Sequence, residues 1–520
     1  MNANARDSKP DDGSLEENSA GQQWKTLPWK QLERQLFHLQ KGIYHASRSG
    51  NLKSLRRLQR LLLKSRAAKT LAVAQVCADN SNGQFPAIDG LTSLGAAQRF
   101  TLVKELELLT GGQPLRSLEV SLPNGREKIR LQIPTMKDRA LQYLVKFALE
   151  PEWEAKFDPN SYGFRPGRSY KDAIAAIYAS IKAQPQYVLT ADLSVNLPQI
   201  DPQALAQKMA AVSPIRRLVK AWLKTGAIAW SAVGEPLEFN PSKSAFFPSQ
   251  ILAPLLLNIA LDGLENHLMQ LANTLFVPDR DTQTGLTVVR YAAQLVLLHP
   301  DKAVLLQCRA IAGEWLQTMG LSLRDENTRL AHTLDSHEAT PPGFDFQGFH
   351  IRQYPVGKYH SKLGFKTLIQ PSNSAVKAHK KQIKAAIKAH QAASQSTLIA
   401  CLNPLINHWC GYFCSVSSKK TFSSLDYDLH LKLKRWAKRR HPHKSNAWVK
   451  QKYWQAIGSK NSVFASHPHD RLALHAETAI VRHLKVRGDA SPYDGDLSYW
   501  GPRLRESGPL SGQQLTPEEI

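Results

Sequence analysis

A long basic segment with almost no acids is the feature that most constrains this sequence. Residues 351–460 contain 21 Lys and Arg but only two acids, Asp426 and Asp428, so this segment carries +19 of the chain's net charge of +24. Surfaces that are merely soluble usually mix charges of both signs. Most of these cations cannot be neutralised within the segment. We therefore expect it to fold with a strongly positive surface that binds nucleic acid or another polyanion.

Aromatic residues are interleaved with the cations near the end of this segment. Trp436 lies within the most basic run, and Trp448, Tyr453 and Trp454 follow it. Cations neutralise phosphates while aromatic rings stack on unpaired bases, a combination typical of proteins that bind folded or single-stranded RNA. The residues predicted to contact RNA here are Lys434, Arg435, Lys438, Arg439, Arg440 and Lys444.

A second basic element lies near the start of the sequence. Leu55, Leu58 and Leu62 recur at helical spacing among Lys and Arg residues, which predicts an amphipathic helix. The default role of such a helix is to pack its leucine face against a neighbour. Phosphate contact by its basic face is the additional hypothesis. The residues concerned are Arg56, Arg57 and Arg60.

Strand-like alternation and helical periodicity both occur along the 520 residues, which predicts an α+β fold. Two helices are expected between residues 24 and 75, strands at 187–193 and 344–353, and a hairpin at 286–298. Beyond Pro371 the sequence is mainly helical to about residue 457. The predicted domains are a disordered tail (1–22), an N-terminal helical domain (23–92), a central mixed domain (93–360), a helical basic domain (361–460) and a C-terminal remnant (461–520).

The cysteines do not describe a disulfide framework. There are five, an odd number without regular spacing, which fits a reducing compartment. Cys410 and Cys414 lie near Cys401 and His408, residue types that can bind zinc. Their neighbours are mainly apolar, however, so buried thiols in a helical core are the favoured interpretation.

Nothing in the sequence suggests a membrane segment or an export signal. The longest apolar stretch, 251–261, is far shorter than the ~20 residues that span a bilayer. The N-terminal region carries several acids and has no apolar core, unlike a secretion signal or a transit peptide. We therefore expect a cytoplasmic protein.

Three distinctive strings occur in the first third of the chain. They read IPTMKDRA at 133–140, EPEWE at 150–154 and SYGFRPGRS at 161–169. Through them the sequence resembles group II intron reverse transcriptases with maturase activity, and the similarity extends over most of the chain. The string FDFQGFHIR at 344–352 is similar to the family's strand between palm and thumb, and the basic run at 433–444 is similar to its maturase-specific thumb.

This resemblance implies a right-hand polymerase architecture. The fingers and palm would correspond to 93–360 and the helical maturase-type thumb to 361–460, preceded by an RNA-binding helical extension at 23–92. The implied partner is structured RNA, with intron RNA as the candidate. The resemblance also adds Arg165 and Arg168, in the fingers-like string, to the predicted RNA contacts.

The catalytic elements of the family are altered in this sequence. DNA synthesis in these enzymes uses two divalent ions held by palm carboxylates. The family's palm hairpin reads Tyr-Ala-Asp-Asp, whereas Ala293 and Gln294 replace both aspartates here. Asp192 remains on the first palm strand, but Pro198 stands where the family has a second aspartate, and Asp201 is the other carboxylate considered as a ligand. Because a lone carboxylate cannot organise two ions, we interpret Asp192 as a structural remnant and predict no metal site and no cofactor.

Further differences from the family also indicate loss of catalytic activity. FPSQ at 247–250 replaces the family's Pro-Gln-Gly-Gly turn, so both glycines that permit close approach to the backbone are absent. Asn327 replaces a basic residue of the family. No cysteine follows Cys414, so we expect no zinc-dependent endonuclease domain of the kind that many family members carry.

The leading interpretation is a catalytically inactive reverse-transcriptase-like protein that binds RNA and acts in trans as a splicing or RNA-folding cofactor. One alternative is an active RNA-directed DNA polymerase of a group II intron that uses Asp192 and magnesium. Another is a protein-interaction scaffold that has lost RNA binding, because a basic surface also suits an acidic protein. The RNA target and the oligomeric state are open at this point.

Overall fold

The computed structural model of the chain describes residues 12–79, 91, 93–107, 116–121, 128–194, 200–225, 251–275, 285–458 and 460–506. Helices and β-sheets both contribute to its cores, which confirms the predicted α+β class. The right-hand arrangement of fingers, palm and thumb stays a prediction. Pro198 and the turn at 247–250, where the sequence departs from the family, lie outside the described residues.

Four helices begin the described chain: α1 (Asp12–Lys25), α2 (Trp29–Arg48), α3 (Leu52–Lys64) and α4 (Arg66–Asp79). The prediction of two helices between 24 and 75 is wrong, because Ser65 adopts an extended backbone (φ −65°, ψ 126°) that separates α3 from α4. The basic helix α3 is amphipathic as predicted, and it buries Leu55, Leu62 and Leu63.

The N-terminal tail is structured where it is described. The prediction of disorder over 1–22 is wrong for residues 12–22, which form most of α1. Trp24 near the end of this helix is buried and meets Trp29 and Phe100 edge-on, with ring centroids 5.4 and 5.2 Å apart. Tertiary contacts thus order a segment whose composition alone favours disorder. The first eleven residues lie outside the described part of the chain.

The rest of the described chain alternates further helices with strands. The helices are α5 (Ala96–Glu105), α6 (Met136–Glu154), α7 (Tyr170–Ile181), α8 (Pro202–Met209), α9 (Ser213–Thr225), α10 (Ala253–Leu261), α11 (Leu264–Leu275), α12 (Lys302–Gln317), α13 (Asn373–Ala389), α14 (Gln395–Phe413), α15 (Lys419–Arg440), α16 (Asn446–Tyr453) and α17 (Leu497–Glu506). The strands are β1 (Arg116–Ser121), β2 (Lys128–Ile133), β3 (Ser161–Tyr162), β4 (Tyr187–Ser194), β5 (Thr287–Tyr291), β6 (Gln294–His299), β7 (Ser322–Leu323), β8 (Arg329–His332), β9 (Phe344–Phe346), β10 (Phe349–Pro355), β11 (Phe365–Pro371), β12 (Trp454–Ile457), β13 (Lys460–His467) and β14 (Asp470–Arg471).

A six-stranded sheet occupies the centre of the fold. Its order is β3-β5-β6-β4-β7, and β8 also pairs with β4. β5 and β6 form the hairpin predicted at 286–298. β4 pairs antiparallel with β6, and this register places Asp192 directly opposite Gln294. The retained aspartate and the altered hairpin are therefore neighbours in the sheet.

The segment 344–353 forms two strands rather than the single strand predicted. β9 and β10 pair antiparallel around a turn at Gln347 and Gly348, which have φ values of 49° and 75°. Glycine adopts positive φ at little cost, so Gly348 permits a reversal that the alternation of apolar residues does not reveal. β11 completes a three-stranded sheet with this pair.

The helices after β11 pack around a second core that contains Trp409, Phe413 and Phe422. β12, β13 and β14 form a sheet that crosses the predicted domain boundary at 460. The C-terminal region therefore packs as a continuation of the helical region that precedes it. None of the described helices is both long enough and apolar enough to cross a bilayer.

Candidate nucleic-acid interface and central-sheet site

Asp192 lies near the end of β4 and its carboxylate is half-buried. The side-chain amide of Asn327 donates a hydrogen bond to it (Nδ2 to Oδ2, 3.0 Å). Burial raises the pKa of Asp192, while hydrogen bonds from Asn327 and Gln294 and the positive charge of Arg324 oppose that rise. Neutral amides are thus the hydrogen-bond partners of this carboxylate.

Gln294 connects Asp192 to the turn between β9 and β10. Its Oε1 accepts a hydrogen bond from Nε2 of Gln347 (2.7 Å). The backbone carbonyl of Gln347 accepts another from the hydroxyl of Tyr412 on α14 (3.0 Å). We call the connected side chains of Gln347, Gln294, Asp192 and Asn327 the amide chain. The amide chain joins the central sheet to the β9–β10 turn, which in turn contacts the helical region.

The hairpin turn beside the amide chain is tightly packed. Ala293 is buried and its carbonyl accepts a hydrogen bond from the Leu193 N–H (2.8 Å). Ala292 has a φ of 52°, and its N–H donates to the Tyr162 carbonyl (2.9 Å). A Cβ at Gly163 would lie only 2.8 Å from the Ala292 nitrogen, so this approach requires glycine. Position 293 therefore contributes a methyl group and no side-chain oxygen.

These residues do not fit the pair of magnesium ions that the family resemblance implies. Magnesium requires hard oxygen ligands in near-octahedral geometry. Asp192 supplies one carboxylate, and the side-chain oxygen of Gln294 is already engaged by Gln347. Asp201 caps helix α8 instead, because its Oδ1 accepts the backbone N–H of Gln203 (2.7 Å).

The cysteines near 410 lie in and beside α14. Cys410 is buried with its Sγ 3.9 Å from the His475 carbonyl, and burial raises the pKa of its thiol to about 12. Cys414 is half-buried and its Sγ donates to the Gly411 carbonyl (3.1 Å). The prediction of a buried core thiol is confirmed for Cys410. Within the described ranges, no group of three or more His, Cys, Asp or Glu side chains is placed to hold a metal ion.

Three of the predicted RNA-contacting residues on α15 point cations into solvent. Lys434, Arg435 and Arg439 are exposed, and none has a hydrogen-bond or ion-pair partner in the part of the chain that the structure describes. Trp436 and Ala437 between them are buried, so α15 packs one face on the core and leaves these charges on the other.

Two of the other predicted cations of this region, Lys438 and Arg440, make hydrogen bonds within the protein. Arg440 donates from Nη1 to the carbonyls of Gln391 (2.9 Å) and Ala393 (2.7 Å), which follow the end of α13. The ammonium of Lys438 donates to the Lys444 carbonyl and closes the turn after α15. Arg440 and Lys438 are accessible only in part to a phosphate, because these contacts already use some of their donors. Lys444 contributes only its backbone carbonyl, and its side chain is exposed, so it stays a candidate.

A row of lysines on α13 was absent from the predicted set. Lys377, Lys381, Lys384 and Lys388 are all exposed, and their spacing of four, three and four residues places them on one face of the helix. None of them has an ion-pair partner among the described residues. Their helical spacing is visible in the sequence, so a basic face on this helix is predictable from the sequence alone.

α13 and α15 run side by side in the same direction. Lys380 on α13 forms an ion pair with Asp428 on α15. Two to three turns further along both helices, the indole nitrogen of Trp436 donates to the carbonyl of His390 at the end of α13 (3.0 Å). These two contacts hold the two cation-bearing helices side by side. We call the exposed set the basic helix pair, and it consists of Lys377, Lys381, Lys384, Lys388, Lys434, Arg435 and Arg439.

The N-terminal basic helix offers fewer cations than predicted. Nη1 of Arg56 lies 3.3 Å from the Glu152 carboxylate and donates to Gln59 Oε1 (3.0 Å). The prediction of RNA contact is therefore corrected for Arg56, which links α3 to α6. Arg57 and Arg60 are exposed and stay candidates.

Arg165 and Arg168 are structural residues, which corrects the prediction that they contact RNA. Arg165 is 3% exposed and forms two hydrogen bonds to the Glu154 carboxylate (2.9 and 3.0 Å). Arg168 is 4% exposed and donates to the carbonyls of Gly488 (2.6 Å) and Ala490 (3.0 Å). Sequence pattern alone does not reveal burial of this kind, because two acceptors of Arg168, the Gly488 and Ala490 carbonyls, lie more than 300 residues away.

Three family models match parts of the chain. A model described as the N-terminal domain of reverse transcriptase matches 24–106. The reverse transcriptase (RNA-dependent DNA polymerase) model matches 122–351, which contains the amide-chain residues of the central sheet. The model of the group II intron maturase-specific domain matches 376–454, which contains all seven residues of the basic helix pair.

Individual relatives point to the same family. The chain is 30% identical over 251 residues to Maturase-like protein 1 of Euglena gracilis, covering 47% of this chain and 52% of that protein. It is 29% identical over 225 residues to Protein YkfC of Escherichia coli K12 (41% and 58%). It is 28% identical over 162 residues to the group II intron-encoded protein LtrA of Lactococcus lactis subsp. cremoris (31% and 26%). The chain thus spans about half the length of the first two relatives. On these matches it belongs to the group II intron reverse transcriptase and maturase family.

Proposed function

We propose that this chain is a reverse-transcriptase-like protein without polymerase activity that binds structured RNA. In this proposal it acts in trans as a splicing or RNA-folding cofactor, with intron RNA as the candidate ligand and the cytoplasm as its location. The basic helix pair carries the proposal, since it presents seven exposed cations without acid partners among the described residues. The match of this region to a group II intron maturase-specific domain supports intron RNA as the ligand class.

The proposed mechanism is electrostatic. A compact RNA fold brings phosphates close together, and cations that neutralise them stabilise the compact state over the open one. Binding releases the counterions condensed on those phosphates, so the affinity falls as salt concentration rises. Rows of lysine and arginine on two neighbouring helices suit this role because they contact phosphates without reading individual bases.

The amide chain supports the proposed lack of polymerase activity. Phosphoryl transfer with paired magnesium ions requires several anionic oxygens around them. Here Ala293 contributes a methyl group, and Gln294 contributes an amide that is bonded to Gln347. Asp192 is the carboxylate that is left, and Asn327 donates to it.

RNA binding is tested by a filter-binding titration with a folded group II intron RNA at 50 and 200 mM salt. We expect the affinity to fall roughly 10³-fold between these concentrations, as it does for proteins with six or more phosphate contacts. Binding that is absent, or that is insensitive to salt, would contradict the proposal. A pull-down of the native complex with and without nuclease distinguishes RNA binding from the scaffold alternative.

The polymerase alternative is tested separately by primer extension on an RNA template with magnesium or manganese. We expect no extended product. Robust extension by the wild-type protein that is lost in Asp192→Ala would establish the alternative, because Asp192 is the retained carboxylate of the central sheet.

A further inference from the structure

An aromatic side chain at the tip of the β10–β11 hairpin is exposed to solvent. β10 and β11 pair antiparallel from Phe349 opposite Pro371 to Pro355 opposite Phe365, and residues 356–364 connect them. Tyr359 at this tip is fully exposed. A large aromatic side chain normally buries much of its surface, so a ring that no part of the described chain covers is a candidate binding group.

The tip is held in shape by its own hydrogen bonds. The Val356 N–H donates to the Gly364 carbonyl (2.9 Å), and the His360 N–H donates to the Gly357 carbonyl (2.8 Å). Gly364 has a φ of 75°, a backbone conformation that favours glycine. The ring of Tyr359 is therefore presented by a closed turn with defined backbone hydrogen bonds, and its exposure does not result from an open loop.

The surroundings of the ring are positively charged. Lys358, Lys362 and Lys366 are exposed, and none has an ion-pair partner in the described part of the chain. The sequence contains no acid between Asp345 and Asp426. Exposed rings flanked by cations bind single-stranded nucleic acid, because the ring stacks on a base while the cations contact the phosphates beside it. Leu363, which is 56% exposed, lies on the same tip, but a single leucine beside three lysines does not form the broad apolar patch that an apolar protein partner would favour.

We propose that Tyr359 stacks on an unpaired nucleotide of the bound RNA, with Lys358 and Lys362 contacting the adjacent phosphates. This assignment rests on the proposed function and adds a contact of a different kind from those of the basic helix pair. The helix pair contacts phosphates of any RNA, whereas a stacking ring requires a base whose face is free. Bases in a continuous duplex are already stacked, so Tyr359 selects loops, bulges or single-stranded junctions.

The test compares two RNAs of equal length, one a continuous duplex and one containing a single-stranded internal loop. We expect Tyr359→Ala to weaken binding of the looped RNA about tenfold, in line with the loss of one base-stacking contact, and to leave duplex binding unchanged. Tyr359→Phe should bind like the wild type because it keeps the ring. Tyr178→Ala is the matched control, since Tyr178 on α7 is a partly exposed tyrosine (39%) outside the hairpin.

The outcomes separate this assignment from the proposed function. If the wild-type protein binds neither RNA, both proposals are overturned. If it binds both RNAs and Tyr359→Ala binds them equally well, or loses both equally, the stacking assignment alone is overturned. Sedimentation with phosphatidylserine vesicles that depends on Tyr359 would assign the ring to a membrane surface and also overturn it. Thermal melting of each variant by circular dichroism checks that the fold is unchanged.

Discussion

The central sheet and the basic helix pair differ in whether their charged side chains have partners within the protein. In the central sheet, the carboxylate of Asp192 is half-buried and accepts hydrogen bonds from neutral amides, one of them from Asn327 at 3.0 Å. In the helix pair, seven cations face solvent without acid partners among the described residues. The first region satisfies its charge within the protein, and the second leaves its charge exposed to solvent.

This difference reflects what each kind of function demands. A two-metal site requires several oxygens at fixed positions, so replacement of two ligands removes the basis for ion binding. Phosphate neutralisation depends on the number of nearby cations and tolerates the loss of any one of them. A protein can therefore lack the first property completely and keep the second almost unchanged.

The largest effect is expected from reversing charges on α13. Lys381→Glu combined with Lys384→Glu should weaken binding of a folded intron RNA about 100-fold at 100 mM salt and should lower the salt dependence by about two phosphate contacts. Filter binding over a salt series measures both quantities. Lys220→Glu combined with Lys224→Glu on α9 is the matched control, because it reverses two exposed lysines outside the helix pair. An equal loss in the control variant would show that net charge matters and the helix pair does not.

The next effect concerns the amide chain. Ala293→Asp combined with Gln294→Asp breaks the bond to Gln347 and places two carboxylates beside Asp192. We expect the free energy of unfolding to fall by about 2–3 kcal/mol at pH 7, because buried like charges repel each other and a hydrogen bond is lost. Part of this loss should disappear at pH 5, since carboxyl groups with raised pKa values become protonated there.

Urea unfolding at both pH values measures this change, with Ala293→Ser as a control of nearly the same volume. Primer extension should stay absent in the double variant, because other parts of the family's site also differ. Unchanged stability together with magnesium-dependent extension would show that the central sheet has kept a geometry suited to metal ions.

A third effect concerns the interior beneath the helix pair. Burial lowers the pKa of His379 on α13 to about 3, and its Nε2 lies 2.9 Å from Nε2 of His475, whose Nδ1 contacts Asp426 (2.7 Å). The unfolded chain takes up a proton at this histidine below about pH 6.5, whereas the folded protein resists it. The contribution of neutral His379 to the free energy of unfolding is therefore fully present above about pH 6.5 and is lost as the pH falls toward 3.

Between pH 7 and pH 4.5 this contribution amounts to roughly 2 kcal/mol, which chemical denaturation across the pH series measures. His379→Gln should remove most of the dependence because the amide donates to His475 without titrating. A variant that keeps the wild-type pH profile would assign the effect to other groups.

The smallest effect tests the role of Asp201. Asp201→Ala should cost about 1 kcal/mol of stability through loss of the α8 N-cap, and Asp201→Asn should cost much less, because asparagine also caps helices. RNA binding should be the same in both variants. A change in RNA affinity or in the response to magnesium would indicate that this carboxylate does more than cap a helix.

Local features of the fold were predictable from the sequence. The hairpin formed by β5 and β6 was correctly placed, because its strands alternate apolar residues around a short turn. The leucine face of α3 was also correct. The division of 344–353 into two strands was missed, since it depends on the backbone conformation of Gln347 and Gly348. Patterns of hydrophobicity report which side chains are buried and carry less information about where the chain reverses.

The candidate sites were predictable only in part. The replacement of carboxylates by Ala293 and Gln294 is visible in the sequence, but the bond between Gln294 and Gln347 joins residues 53 positions apart and requires the fold. Arg165 and Arg168 look like other basic residues until their buried acceptors are known. The lysine row on α13, by contrast, follows from helical spacing alone. It is less conspicuous in the sequence than the denser cluster on α15.

The contacts of Arg168 have a consequence for synthesis of the chain on the ribosome. Its guanidinium donates to the carbonyl of Gly488, 320 residues further along, and to that of Ala490. Translation proceeds from the N-terminus, so these acceptors leave the ribosome more than 300 residues after Arg168. Until then the guanidinium stays hydrated, because burial of an unpaired charge is costly. The loop that carries Arg168 therefore reaches its final packing only after residues 488–490 have been made.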